Sequence, residues 1–312
     1  MVQLSIIIPH YNSTFLLAKL LRSIPYNSAV QVIIIDDNSD EFYQSELYNL
    51  QLKNNVEIYT NESNTKGAGA SRNIGLEKAV GKWLLFADSD DYFLEGFYSI
   101  IKQYFNSTSD VIYFVPTSVN LEDGSTAKRH LPYKNRICEH MKNPSNRTRL
   151  NLLFRFSVPW SKLIKRSLVM ENKIKFDEVI ASNDIMFSAK VGYNLRAFEV
   201  SKQEIYCVTR SEGSLTRTMS KPIFESRLMV FINYNNYLRE RISKNEYKSL
   251  GINGAKYLKM SLNFSVLKCI SVYIKLKKEQ IKILDNKYLN PFTLLKSLKL
   301  IIIQKLNKKN IY

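Results

Sequence analysis

Paired cysteines, long apolar runs and an acidic balance are all missing from this chain. Its three cysteines, Cys138, Cys207 and Cys269, are far apart and lack paired spacing. That excludes a disulfide framework and a zinc-ligand pattern, and it fits a reducing cytoplasm. No uninterrupted apolar stretch approaches the ~20 residues of a membrane-spanning helix. A strand-like run starts within a few residues of Met1, with no basic, apolar and cleavage segments in order, so no export signal is expected. Acidic residues are scarce: 28 Asp and Glu face 45 Lys and Arg, a net charge of +17. From Lys256 onward thirteen lysines meet only Glu279 and Asp285, so about +11 of that charge belongs to the tail. No aromatic-interleaved basic patch or reader module accompanies these lysines, and nucleic acid is not an expected partner.

What is present reads as a globular α/β protein. With 312 residues, 45% of them hydrophobic and 23% charged, the chain can bury one large core, with or without an appendage. Leu4 to Ile8 is a β-branched run ended by Pro9, and Phe15 to Ile24 then has helical apolar spacing. Val30 to Ile35, Val56 to Thr60 and Trp83 to Ala87 read as further strands, and Ala70 to Val80 as a helix. Strands alternating with helices predict a parallel sheet with right-handed crossovers.

Two of these strands end in acid. Asp88, Ser89, Asp90 and Asp91 follow Ala87 without a spacer, and Asp36-Asp37-Asn38-Ser39-Asp40 follows Ile35. Ligands bind open α/β sheets at the carboxyl ends of the strands. Clustered carboxylates repel one another unless a cation offsets them, and an all-oxygen set suits Mg2+ or Mn2+. Such an ion would clamp a diphosphate. Tyr11 offers a ring to stack on a base, and Asp36 or Asp37 an acceptor for a base N–H or a ribose hydroxyl. Lys66 and Arg72 supply cations, Gly67 and Gly69 permit close backbone approach, and a helix N-terminus near Ala70 adds a favourable partial charge. His10 reads as structural.

Four motifs carry a family resemblance. Ser5-Ile-Ile-Ile-Pro-His-Tyr-Asn12, Ile33-Ile-Ile-Asp-Asp-Asn-Ser39, Gly67-Ala-Gly-Ala-Ser-Arg-Asn-Ile-Gly75 and Phe86-Ala-Asp-Ser-Asp-Asp-Tyr92 resemble, in order and spacing, the nucleotide-sugar half of glycosyltransferase family 2. The resemblance implies a GT-A fold, a Rossmann-like and mainly parallel sheet flanked by helices. It implies inverting sugar transfer from a nucleoside-diphosphate sugar, helped by Mn2+ or Mg2+. Carried over, Asp90 is the principal metal ligand and Asp88 contacts ribose or metal. Tyr11, Asp37 and Arg72 belong to the nucleotide pocket, with Pro9 shaping its loop.

The second half matches less closely. Val158-Pro-Trp-Ser-Lys162 is similar to a Trp-x-Lys segment on the acceptor side, where Trp160 is a candidate to stack on a sugar. Asn183-Asp184 stands where the family often shows Glu-Asp. The resemblance makes Asp184 the base that takes the acceptor hydroxyl's proton, leaves the neighbouring carboxylate missing, and keeps Asp177 and Glu178 as fallback candidates. Arg210 and Arg217 are candidates to close over the diphosphate, with Gly213-Ser214 giving that segment freedom to act as a lid. Pro116 to Arg149 has weak periodicity and reads as solvated surface or an acceptor-facing region.

These readings divide the chain into a GT-A domain at 1–220, nucleotide-sugar half 1–115 and acceptor half 116–220, and a helical, basic extension at 221–312. In the extension Phe292 to Leu306 suits a helix lying on an anionic membrane surface. The expected activity is transfer of a hexose or N-acetylhexosamine, from a UDP-sugar first, to a hydroxyl of a lipid-linked or oligosaccharide acceptor in O-antigen or capsule synthesis. The expected location is the inner face of the cytoplasmic membrane. Two alternatives stay open: a non-catalytic nucleotide-sugar-binding scaffold, and a nucleotidyltransferase, against which the lack of a basic loop after the first strand counts.

Overall fold

Every residue of β1 (Leu4–His10) and of β2 (Val30–Asp36) is buried, as unbroken apolar runs require when both faces of a sheet are covered. The two pair in parallel, with β3 (Val56–Thr60) outside β2 and β4 (Trp83–Phe86) outside β1. Their crossovers carry α1 (Thr14–Ser23), α2 (Glu41–Leu50) and α3 (Ala68–Lys78). The structure, a computed structural model, describes residues 1–51, 56–210 and 219–283.

Beyond β4 the strand directions mix. The chain continues through β5 (Tyr92–Phe93), α4 (Phe97–Lys102), β6 (Val111–Asn120), α5 (Leu131–Lys142), α6 (Asn146–Arg155) and β7 (Lys162–Lys165). Then come α7 (Arg166–Glu171), α8 (Asp184–Asn194) and β8 (Phe198–Arg210). The sheet order is β3-β2-β1-β4-β7-β6-β8-β5, with β7 antiparallel to both β4 and β6, and β8 parallel to β6. Pro116 lies inside β6, where a proline removes a ladder donor. It is accommodated because the β6–β8 register slips on both sides of Val115, and β7 pairs only with Val111 to Tyr113.

The segment read as solvated surface or an acceptor-facing region is largely exposed, and it carries more regular structure than its weak periodicity suggests. β6 runs on to Asn120, and α5 and α6 follow. The reason for the miss is local: α5 fully buries only Ile137, so its apolar period is faint. The α6 capping box pairs Ser145 with Thr148 rather than with the Glu or Gln that marks such a box in sequence.

The first compact unit runs from Met1 to Val230, and a second begins at Phe231. The division falls within α9 (Lys221–Arg241), ten residues past the boundary read from the sequence. Within the second unit, α10 (Lys244–Leu250) starts at a Ser243–Glu246 capping box, and α11 (Ala255–Ser261) leads into α12 (Val266–Lys278). Gly254 lets Leu276 of α12 come close, since a Cβ there would stand 2.6 Å from the leucine methyl. Among the described residues no helix is long and apolar enough to cross a membrane. Arg217, the Gly213-Ser214 hinge and the Phe292–Leu306 helix lie outside the described residues.

Candidate active site

The carboxyl ends of β1, β2 and β4 meet at one sheet edge, and side chains lock their loops together. After β4, the Asp88–Asp91 turn packs against β8. The Tyr206 hydroxyl accepts from the Asp88 N–H at 2.8 Å and donates to Asp91 Oδ2 at 2.8 Å. Thr209 N–H donates to Asp91 Oδ1 at 2.7 Å, and its hydroxyl to the Asp90 carbonyl at 2.6 Å. Asp91 is therefore a buried anchor with both oxygens engaged. Asp88 is half-buried and Asp90 exposed. Ser13 and Ser89 hydroxyls meet at 2.8 Å, joining the loop after β1 to this turn.

Two consecutive residues on α3, Arg72 and Asn73, tie the site to the second half of the unit. The Ser71 hydroxyl donates to the Gly67 carbonyl at 3.2 Å, closing the first turn of the helix. Arg72, 5% exposed, forks: one guanidinium nitrogen reaches Asp88 Oδ1 at 2.5 Å, the other Asn183 Oδ1 at 2.9 Å. Asn73 holds the loop before α8, accepting from the Phe176 N–H at 2.8 Å and donating to the Phe176 carbonyl and Glu178 Oε1. Gly69 serves the same docking. A Cβ there would lie 2.2 Å from the Asp177 carbonyl oxygen, so the close approach is to this loop rather than to a phosphate. Gly67, at φ +114, takes a conformation that side chains resist and donates its N–H to Asp37 Oδ2 at 2.7 Å.

Asp184 opens α8, immediately after the asparagine that Arg72 grips. Solvent still reaches part of it, yet enough protein surrounds the carboxyl that lost hydration raises its pKa above the ordinary carboxylate value. Arg72 and Lys162 oppose that rise and Asp88 adds to it. A carboxylate raised in this way is a stronger base. Asp177 is also raised by burial, while Glu178 is held by Asn73.

Lys162 was not singled out from the sequence beyond its motif. It is 1% exposed, and its ammonium donates to the Phe156 carbonyl at 2.5 Å and to Ser188 Oγ at 3.2 Å, one turn along α8 from Asp184. Burial brings it down to about 7, with Asp184 opposing the fall. Tyr206, Thr209 and Asn73 were missed as well. Their partners lie over 100 residues away in the chain, and no local pattern announces them.

Several expected donor contacts turn inward. Asp36, 2% exposed, accepts from the Ser39 hydroxyl at 2.5 Å and Ser39 N–H at 3.2 Å and pairs with His10 Nδ1 at 3.0 Å. Burial raises its carboxyl, but the bonds to His10 and Ser39 outweigh that and leave it below the ordinary value. It is a brace between two loops, in place of the base or ribose acceptor read from the sequence, and His10 is structural as expected. Asp37 accepts from Asn61 Nδ2 at 2.6 Å and from Gly67, so it shapes the pocket loop from within. Trp160, 1% exposed, lies parallel to the Tyr206 ring and meets Tyr133 edge-on, so stacking on a sugar gives way to packing. Pro9 is buried at the end of β1. Tyr11 remains open, 56% exposed, Lys66 is exposed, and Arg210 is the half-buried last residue of β8.

Asp88, Asp90 and Asp91 form an all-oxygen set whose ligand atoms lie within 4.8 Å of one another. Asp91 is engaged by β8 and one Asp88 oxygen by Arg72, so the residues that fit a divalent ion are Asp90 and the free side of Asp88. Solvent reaches Asp90, yet the protein packed around its carboxyl costs it hydration; that first, and the like charge of Asp88 second, push it up to about 6, which a bound cation would relieve.

Comparison with known proteins bears on the family and the fold. The model of Glycosyl transferase family 2 matches residues 5–172. Poly(ribitol-phosphate) beta-N-acetylglucosaminyltransferase TarS of Staphylococcus aureus is 25% identical over 292 residues, covering 89% of this chain and 48% of its own. The chain thus spans about half the length of that relative. The GalNAc(5)-diNAcBac-PP-undecaprenol beta-1,3-glucosyltransferase of Campylobacter jejuni is 27% identical over 292 residues, 89% of this chain and 90% of that one. The structure of S. aureus TarS 1-349 in complex with UDP-GlcNAc superposes with a TM-score of 0.60 at 22% identity, covering 89% of this chain and 78% of that one. That likeness supports the fold, which is the GT-A sheet expected from the motifs. From the four motifs at one sheet edge and the match over more than half its length, this chain belongs to glycosyltransferase family 2.

Proposed function

We propose that this chain transfers a hexose or N-acetylhexosamine, with inversion, from a UDP-sugar to a hydroxyl of a phosphate-bearing surface glycan, such as a lipid-linked precursor. The observation that carries the reading is the Arg72 fork, which joins the acidic turn after β4 to Asn183 and so brings Asp184 under the electrostatic influence of Asp88. Inverting displacement needs this proximity. Asp184 takes the proton from the acceptor hydroxyl as its oxygen bonds to the anomeric carbon, while the bond to the diphosphate breaks on the opposite side. Arg72, fixed beside Asp88, would oppose the negative charge that develops on the departing diphosphate.

Asp90 and Asp88 would hold Mg2+ or Mn2+, and the ion, when bound, neutralises diphosphate charge. Tyr11 offers its exposed ring to the base, and Lys66 and Arg210 lend positive charge around the donor. Asp36, Asp37 and Pro9 keep the pocket loops in shape. Trp160 stiffens the acceptor side through its packing on Tyr206. The chemistry in the relatives' names supports this substrate class: one acts on a poly(ribitol-phosphate), one on an undecaprenol-linked diphosphate glycan, and both are named as forming beta linkages. Work on such precursors suits a protein at the cytoplasmic face of the membrane.

The test is calorimetry with a panel of UDP-, GDP-, CMP- and dTDP-sugars, with Mn2+ and then with chelator, followed by the anomeric coupling of the product. Metal-dependent binding of a UDP-sugar and a product of inverted configuration are expected, with metal-dependent binding lost in Asp90→Ala. Binding to no donor would discard the reading in favour of a scaffold, and retained configuration would discard Asp184 as the base.

A further inference from the structure

Large apolar side chains are most densely exposed on α12 of the second unit. Val266 is 68% exposed, Leu267 79%, Ile270 50%, Tyr273 46% and Ile274 60%. At helical spacing these five residues fall within one arc of roughly 120°. Val272 and Leu276, 1% and 0% exposed, point the other way and hold the helix to its own unit. The apolar stripe is therefore not the face that folding uses.

Charge identifies what fits the stripe. The helix Val266-Leu-Lys-Cys-Ile-Ser-Val-Tyr-Ile-Lys-Leu-Lys-Lys278 contains no carboxylate. Lys275, Lys277 and Lys278 are exposed on its last turn, and Lys277 sits 6.0 Å from the centre of the Tyr273 ring. The next carboxylate in the chain, Glu279, accepts from Asn236 Nδ2 at 2.8 Å. A parallel copy of this helix would bring lysines against lysines, and an antiparallel one would leave them without a counter-charge, since the helix has no carboxylate. An anionic lipid surface offers hydrocarbon for the stripe and phosphates for the ammonium groups. Tyr273 suits the boundary between the two, with an apolar ring and a polar tip.

We propose that α12 is a docking face for an anionic phospholipid surface, lying in the plane of the headgroups with Val266, Leu267, Ile270, Tyr273 and Ile274 inserted and Lys275, Lys277 and Lys278 on phosphates. The inference stands apart from catalysis, since none of these residues belongs to the candidate active site. It also differs from the anchor read at Phe292–Leu306, which lies outside the described residues.

The experiment is co-sedimentation of the full chain with vesicles of phosphatidylcholine, with and without phosphatidylglycerol. The wild type is compared with an apolar-face variant (Leu267→Asp, Ile270→Asp, Ile274→Asp) and a charge variant (Lys275→Glu, Lys277→Glu, Lys278→Glu). Salt-sensitive binding of the wild type to the anionic vesicles is expected, lowered on the order of tenfold or more in each variant. Unchanged thermal melts and unchanged nucleotide-sugar binding would show that the variants are folded. Wild-type binding that survives in the apolar-face variant overturns the proposal, because the lipid would then be held elsewhere. So does a wild type that ignores anionic vesicles, or one that instead pairs through this face in sedimentation velocity.

Discussion

Replacing Lys162 by methionine should make the stability difference between variant and wild type depend on pH in a calculable way. A lysine that titrates near 7 in the folded chain and 10.5 when unfolded binds fewer protons folded than unfolded between those values. Wild-type stability from this group therefore rises with pH across that window, by about 1.4 kcal/mol per pH unit. Below about 7 both states are charged and the full burial cost, about 5 kcal/mol, is present; above 10.5 it is gone. Methionine removes this dependence, along with the donors to Phe156 and Ser188.

From pH 7 to pH 9, the wild type should gain about 2 kcal/mol on Lys162→Met, with little change between pH 5.5 and 6.5. Urea unfolding at fixed pH values measures the difference directly, and titrations common to both proteins cancel. Parallel stability curves would refute the buried, neutralised lysine. Loss of the ammonium near α8 should also move the acid limb of the kcat profile to higher pH, since Lys162 favours the ionised form of Asp184.

Other substitutions probe separate links. Asp184→Asn should leave donor binding intact and lower kcat by about 10²–10⁴-fold; near-normal turnover in a transfer assay would remove it as the base. Tyr206→Phe should destabilise the protein by about 1–3 kcal/mol in urea unfolding, because buried Asp91 loses a donor. An unchanged midpoint would show that the turn is held by other contacts. Gly69→Ala should cost about 1–3 kcal/mol, since its methyl meets the Asp177 carbonyl, and should weaken transfer more than donor binding. Equal loss of both would mean that this contact supports the nucleotide side instead.

The first ninety residues were legible because each buried strand is a continuous apolar run and each acidic end follows directly. Asp88 and Asp90 are on the open side of the turn for the same reason: a strand that ends at the sheet edge delivers the next residues to solvent. Asp36 looked equivalent in sequence, yet the short Ser39 and His10 side chains close over it, an outcome decided by loop geometry. Trp160 was ambiguous because an indole has the same composition packed or presented to a ligand. Tyr206 and Thr209 sit in a stretch of β8 that is buried throughout, where nothing local distinguishes a residue facing a carboxylate 115 or more positions earlier.

The loop before α8 is held at its main chain as well as by side chains: the Phe176 N–H and carbonyl meet Asn73, and the Asp177 carbonyl fits the space above Gly69. Main-chain atoms are the same whatever side chains flank them. The joint therefore tolerates exchange only where its side chains face outward: Phe176 must still stack on Phe187 and position 183 must still accept from Arg72, so substitutions confined to Val179 through Ser182 should leave it in place. On the other side of the joint, the requirement is a small residue at 69, an arginine at 72 and an asparagine at 73.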